Sequence, residues 1–160
     1  MINAGMLHFA THGVLDWRNP KDGHRMLFSH DEANDGLLSA AEIREMDLRQ
    51  VRLVILNICN GATCRYGGGD EPLGLLSAFL SAGVENVLGG IWDLPDAYSK
   101  MFILQFYEGI KQGDPSAAFQ YAAVKAIKRG KKLYAWSGQQ LIGPGRSFEI
   151  VPGCRQVRPN

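Results

Sequence analysis

Long hydrophobic runs are missing from this chain of 160 residues. No stretch approaches the ~20 apolar residues that a spanning helix needs. Met1 is not followed by the basic segment and apolar core of an exported precursor, so the expected location is cytoplasmic and no membrane role is expected. An excess of charge is missing too: 17 basic side chains stand against 16 acidic ones, for a formal net charge of +1. The basic residues form no single long block, so no electrostatic footprint for nucleic acid is present. Cysteine is scarce. Cys59, Cys64 and Cys154 are odd in number and cannot complete a disulfide framework, and their spacing lacks the paired pattern of a zinc site. No metal is therefore expected, and thiol chemistry of itself needs no organic cofactor.

What is present is core material. A hydrophobic share of 46% suits one globular domain, with no internal repeat and no linker. Met6 to Thr11 (MLHFAT) reads as a short strand that runs out at His12-Gly13. Arg25 to Ser29 is a candidate hairpin strand and Asn34-Asp35-Gly36 a turn. Ser39, with Glu42 three residues on, spells a capping box ahead of Ile43 and Met46. Val51 to Ile58 is the most continuous β-prone run, as a strand covered on both faces requires.

A glycine-rich loop follows, and Glu71-Pro72 is expected to open a helix that Gly83 ends. Glu85 to Trp92 reads as a second central strand. Helices are predicted from about Asp96 to Lys111, with Phe102, Ile103, Phe106 and Ile110 inward, and from about Pro115 to Arg129, with Phe119, Ala122, Ala123, Ala126 and Ile127 inward. Leu133 to Trp136 and Gln139 to Ile142 read as weaker, extended segments, and residues 146–160 as a loosely ordered tail after a domain over 1–145. Alternating strands and helices predict an α/β sandwich around a mainly parallel sheet, whose chemistry gathers beyond the carboxyl ends of the strands.

His12 and Cys59 both stand where predicted strands run out. A thiolate is a strong nucleophile, and imidazole moves protons near neutral pH, so the two ends of neighbouring strands can form a dyad across one cleft. The glycine after His12 lets the Gly13 N–H turn toward a developing oxyanion, with the N–H of Cys59 as the second donor. On these residues alone a small buried thiol and a turn histidine remain an equal reading.

The segments LHFATHG, LSAAEI, LVILNICNG, EPLGLLSAFLSAGVENVLGGIWDLPD, FYEGI and YAWSGQQLIGPG, in that order, resemble the CHAT-domain family of caspase-like cysteine peptidases, related to separase and caspases. The resemblance implies a caspase-like three-layer sandwich, here short of sheet strands at its N-terminal side. It implies that His12 is the catalytic histidine and Cys59 the nucleophile. Asn57-Ile58 departs from the Ser-Ala more common before that cysteine. By the same resemblance, Trp92 to Asp96 (WDLPD) lines the primary specificity pocket, where Asp93 or Asp96 would select Arg or Lys in a polypeptide substrate. The competing reading has Asp96 capping the next helix and Asp93 solvated.

His8 reads as structural, Cys64 as a loop thiol, and His24 and His30 as surface residues. The function that follows is a cysteine endopeptidase; the alternative is a catalytically silent protein-interaction module. A regulatory protein, a missing N-terminal segment or a homodimer partner would cover the sheet edge left open.

Overall fold

The structure, a computed structural model, describes residues 5–148 except 17, 20–22, 60, 64 and 67–71. In chain order its elements are β1 (Met6–Phe9), β2 (Gly13–Leu15), β3 (His24–Leu27), β4 (Leu37–Ser39), α1 (Ala40–Arg44), β5 (Leu53–Leu56), β6 (Arg65–Tyr66), β7 (Pro72–Leu73), α2 (Leu75–Ser81), β8 (Asn86–Gly90), α3 (Asp96–Gly109), α4 (Pro115–Lys128), α5 (Tyr134–Ser137) and β9 (Gln139–Ile142). A 3-10 turn over Ile110–Gln112 ends α3.

The central sheet has the order β1-β5-β8-β9. Its first three strands are parallel, and β9 runs antiparallel along β8. The middle of the sheet is dictated by β5, where Leu53, Val54 and Ile55 are 0% exposed and Leu56 2%. Side chains alternate across a strand, so Val54 and Leu56 join Ile43, Leu75 and Phe79 under α1 and α2. Leu53 and Ile55 join Phe102, Phe106 and Ala122 under α3 and α4. Each such burial contributes about 1.5–3 kcal/mol. The result is the expected three-layer sandwich with a mainly parallel sheet. No helix among the described residues is long and apolar enough to cross a membrane.

Local sequence sets the element ends. Ser39 accepts from the Glu42 N–H at 3.2 Å while Glu42 accepts from the Ser39 N–H at 2.8 Å, the reciprocal box expected at α1. Asp114 caps α4 through the Ala117 N–H, and Pro115 occupies its first turn.

Several expectations are corrected. The helix expected from Glu71-Pro72 begins only at Leu75, because Pro72 and Leu73 pair antiparallel with Tyr66 and Arg65. Leu133 to Trp136 is not extended: Ser137 N–H donates to the Leu133 carbonyl at 3.0 Å, and the segment winds into α5. Ile127, expected inward, is 55% exposed near the end of α4. Phe148, within the tail, docks on the α3–α4 cluster and donates its N–H to the Gly113 carbonyl at 2.8 Å. Cys64, Cys154 and most of the tail lie outside the described residues.

His24, expected at the surface, is 4% exposed. Strands β2, β3 and β4 form a small antiparallel sheet, and from β3 the His24 Nδ1 accepts the Leu75 N–H at 3.2 Å, an otherwise unpaired donor of the first turn of α2. Nδ1 as acceptor fixes the neutral tautomer with the proton on Nε2. Burial lowers the His24 pKa from 6.5 to about 4. The folded state therefore disfavours the proton that the unfolded state takes up below about pH 6.5, so stability is full above that pH and falls as pH drops toward 4. The linked loss is about 2 kcal/mol by pH 5, before most carboxylates titrate. Urea unfolding between pH 7 and pH 5 measures it, and His24→Gln should flatten this slope while lowering stability at pH 7.

Candidate active site

Met6 lies opposite Leu53 and Phe9 opposite Leu56, so β1 and β5 run out side by side at one edge of the sheet. Beyond β5 the Asn57 N–H donates to the Phe9 carbonyl at 2.9 Å. Ile58 then anchors in the core at 8% exposure, and Cys59 emerges exposed. The Gly61 N–H closes the turn on the Ile58 carbonyl at 3.2 Å. The apolar residue before the thiol thus fixes the backbone from which Cys59 projects.

Beyond β1 the Thr11 hydroxyl donates to the Leu27 carbonyl, and the Leu27 N–H donates to the His12 carbonyl at 2.9 Å. These bonds hold the His12 segment against β3 and leave the ring exposed. Gly13 pairs with Met26 in the next, non-hydrogen-bonded position of this antiparallel ladder, which turns its N–H away from β3. A Cβ on Gly13 would stand 2.8 Å from the Cys59 carbonyl oxygen. Only glycine allows the two strand ends to approach this closely.

His12 and Cys59 line one open cleft of about 410 Å³, with Asn57, Trp92, Asp96, Ser99 and Gln139 among its other walls. The Ser99 hydroxyl donates to Asn57 Oδ1 and ties the end of β5 to the first turn of α3. Trp92 stacks on Tyr134, with centroids 5.6 Å apart and planes at 10°, and the Tyr134 hydroxyl donates to the Asp93 carbonyl at 2.8 Å. These contacts pin the segment that follows β8.

The two candidate acids differ in position. Asp96 is the first residue of α3, carries no capping bond because Pro95 is the N-cap, and faces the cleft. Asp93 stands outside the cleft lining, with its carboxylate accepting a hydrogen bond from the Cys59 thiol. Both are exposed. Burial first, then the Asp93 charge and hydrogen bond, and then the Asp96 charge push the Cys59 pKa up. The Asp93 carboxylate beside it favours the thiol over the thiolate. Asp93→Asn should therefore speed iodoacetamide alkylation of Cys59 at pH 7 severalfold and move its pH–rate midpoint down; an unchanged midpoint would show that Asp93 does not act on the thiol.

His8 lies opposite Ile55 on β1, and its Nδ1 bonds the Tyr107 hydroxyl of α3 at 2.8 Å. Partial burial of the ring lowers its pKa. His30 is exposed in the loop after β3. Three contributors to the cleft carry no functional signal in the sequence: Ser99, Tyr134 and Gln139. The first two read as an ordinary helix serine and a loop aromatic, and nothing local places them.

Three comparisons bear on this arrangement. The family model described as the CHAT domain matches residues 2–144. Tetratricopeptide repeat protein 28 of Homo sapiens is 30% identical over 180 residues, and its Mus musculus counterpart is 30% identical over 181 residues. Each match covers 89% of this chain and 7% of the relative, so the chain spans a small part of those proteins' length. Among solved structures, a chain of the Saccharomyces cerevisiae separase-securin complex superposes with a TM-score of 0.53 at 23% identity, over 68% of this chain and 7% of that one. At that identity the likeness shows the fold.

Proposed function

The chain belongs to the CHAT-domain family, and from that membership we propose that it is a cysteine endopeptidase that cleaves polypeptides after a basic residue. The observation that carries the reading is the meeting of His12 and Cys59 at one cleft, with Gly13 packed against the Cys59 carbonyl. In the proposed cycle the Cys59 Sγ bonds to the scissile carbonyl carbon as its proton passes to His12. The N–H groups of Gly13 and Cys59 take the oxyanion, and donors of this kind are worth ~3 kcal/mol each to a transition state. The C–N bond breaks as His12 gives the proton to the leaving amine. Water then adds to the thioester, and its hydrolysis frees the acid product and restores the thiol.

The basic preference is supported by the acids at the cleft. A cationic side chain beside Asp96 and Asp93 would gain charge-assisted hydrogen bonds. It would also offset the negative field that keeps Cys59 protonated. The proposed setting is the cytoplasm, and a protein partner is in keeping with the solved relative, which is part of a separase-securin complex.

The raised thiol pKa favours one rival, a CHAT module that binds a partner in this cleft without chemistry. Fluorogenic peptides ending in Arg or Lys, together with an Arg chloromethyl ketone, separate the two readings. Cleavage and a mass shift at Cys59 are expected at pH 7; absence of both would leave the silent module.

A further inference from the structure

We propose that Gln139 is a specificity-determining residue of this cleft, selecting substrate side chains that end in a planar hydrogen-bonding group over aliphatic ones of the same length. The inference rests on the peptidase reading above and adds a second, uncharged element to it. Gln139 opens β9 directly opposite Gly90 of β8. It lies on the same side of the sheet as Leu141, which packs into the α3–α4 cluster. The residue facing it across the ladder has no side chain, so the space between β9 and the first turn of α3 is left to the cleft. Gln139 lines that cleft at 6% exposure, and its carboxamide makes no hydrogen bond to any described residue.

The wall beside it is rigid. A Cβ on Gly138 would stand 2.5 Å from the Trp92 indole, and the Ile91 N–H donates to the Gly138 carbonyl at 2.9 Å. The amide therefore sits at a fixed point of the cleft wall rather than on a mobile loop.

An amide at the inner wall and a carboxylate at the first turn of α3 read different properties. When a substrate side chain fills the cleft it expels the water that solvates Gln139. An aliphatic tip then leaves the amide unpaired, and a buried unpaired polar group costs about a factor of ten or more in binding. A guanidinium can satisfy Gln139 and Asp96 together through its fork of donors. A urea tip satisfies Gln139 but gains nothing from the charge. Lysine, with one compact ammonium, engages the two less completely than arginine.

The test uses coumarin-amide peptides that differ only at the residue before the scissile bond: arginine, citrulline and norleucine. In the wild type, citrulline should exceed norleucine in kcat/KM by about tenfold or more, with arginine above both. Gln139→Met, close in volume, should bring citrulline down to norleucine, whereas Asp96→Asn should lower the arginine-to-citrulline ratio and keep the citrulline-to-norleucine ratio. Gln139→Glu, which keeps the side-chain shape, should widen the arginine-to-citrulline ratio severalfold and serves if the methionine variant does not fold.

Calorimetric binding of the same peptides as simple amides to the Cys59→Ala chain supplies a readout without hydrolysis. Selective binding that is lost in the Gln139 variants, with no cleavage by the wild type, supports Gln139 and sinks the peptidase. Cleavage with a citrulline-to-norleucine ratio that neither Gln139 variant changes supports the peptidase and overturns the role of Gln139. Peptides that are neither cleaved nor bound selectively overturn both.

Discussion

Cys59→Ala is expected to reduce cleavage of basic peptides to background, a loss of at least about a thousandfold, with thiol labelling at that position gone. The size follows from the chemistry: without Sγ no acyl-enzyme forms, and only oxyanion donation and binding remain to assist water. The fold should be indifferent. Cys59 is exposed, and exposed substitutions of this kind usually change stability by less than about 0.5 kcal/mol. A far-UV spectrum and a melting curve that match the wild type would therefore isolate the loss to chemistry.

His12→Ala should fall almost as far, and the double variant little further, because the two side chains serve one step. Cys64→Ala should retain both cleavage and labelling. Persistent cleavage in the Cys59→Ala chain would place the nucleophile elsewhere and end the proposal.

The second large effect comes from a residue with no side chain. Gly13→Ala is expected to lower kcat by roughly a hundredfold while changing KM little, because misplacement of reacting groups by about 1 Å costs that much. The added methyl would meet the Cys59 carbonyl oxygen at 2.8 Å, and that oxygen belongs to backbone that cannot swing aside. Either β2 retreats, which moves the Gly13 N–H off the oxyanion, or the turn carrying Cys59 shifts, which moves the nucleophile. Both routes strike the transition state more than the bound substrate. Val14→Ala, one residue on and 46% exposed in the wild type, is the control that should remain active. A Gly13→Ala chain within twofold of wild-type kcat would show that neither the N–H nor the close approach matters to catalysis.

Where the fold was legible in the sequence, burial and local chemistry agreed. Val51 to Ile58 reads as a doubly covered strand because every residue of its central four is apolar, and β5 is buried throughout. Ser39 and Glu42 announce their helix through bonds that span only three residues. The strand-end logic likewise brought His12 and Cys59 to one cleft, since parallel neighbours expose their carboxyl ends together.

The misreadings share a different cause. His24 is buried by an element 51 residues further on, and no local pattern reports that. Gln139 reads only as the start of a weak extended segment, and its place opposite Gly90 is what buries it. Pro72 reads as the first residue of a helix, but its pairing with Tyr66 keeps it extended. Long-range pairing, rather than propensity, decided each of these positions.

The place of β9 in the sheet also sets an order in time. A chain made from its N-terminus presents His12 and Cys59 early, once β1, β5 and β8 are available to pair. The far wall of the cleft waits for the segment from Tyr134, which stacks on Trp92, through Gln139, which pairs across from Gly90. During synthesis the segments of His12 and Cys59 thus precede the wall that Gln139 supplies, and the addition of one antiparallel edge strand completes the lining of the cleft.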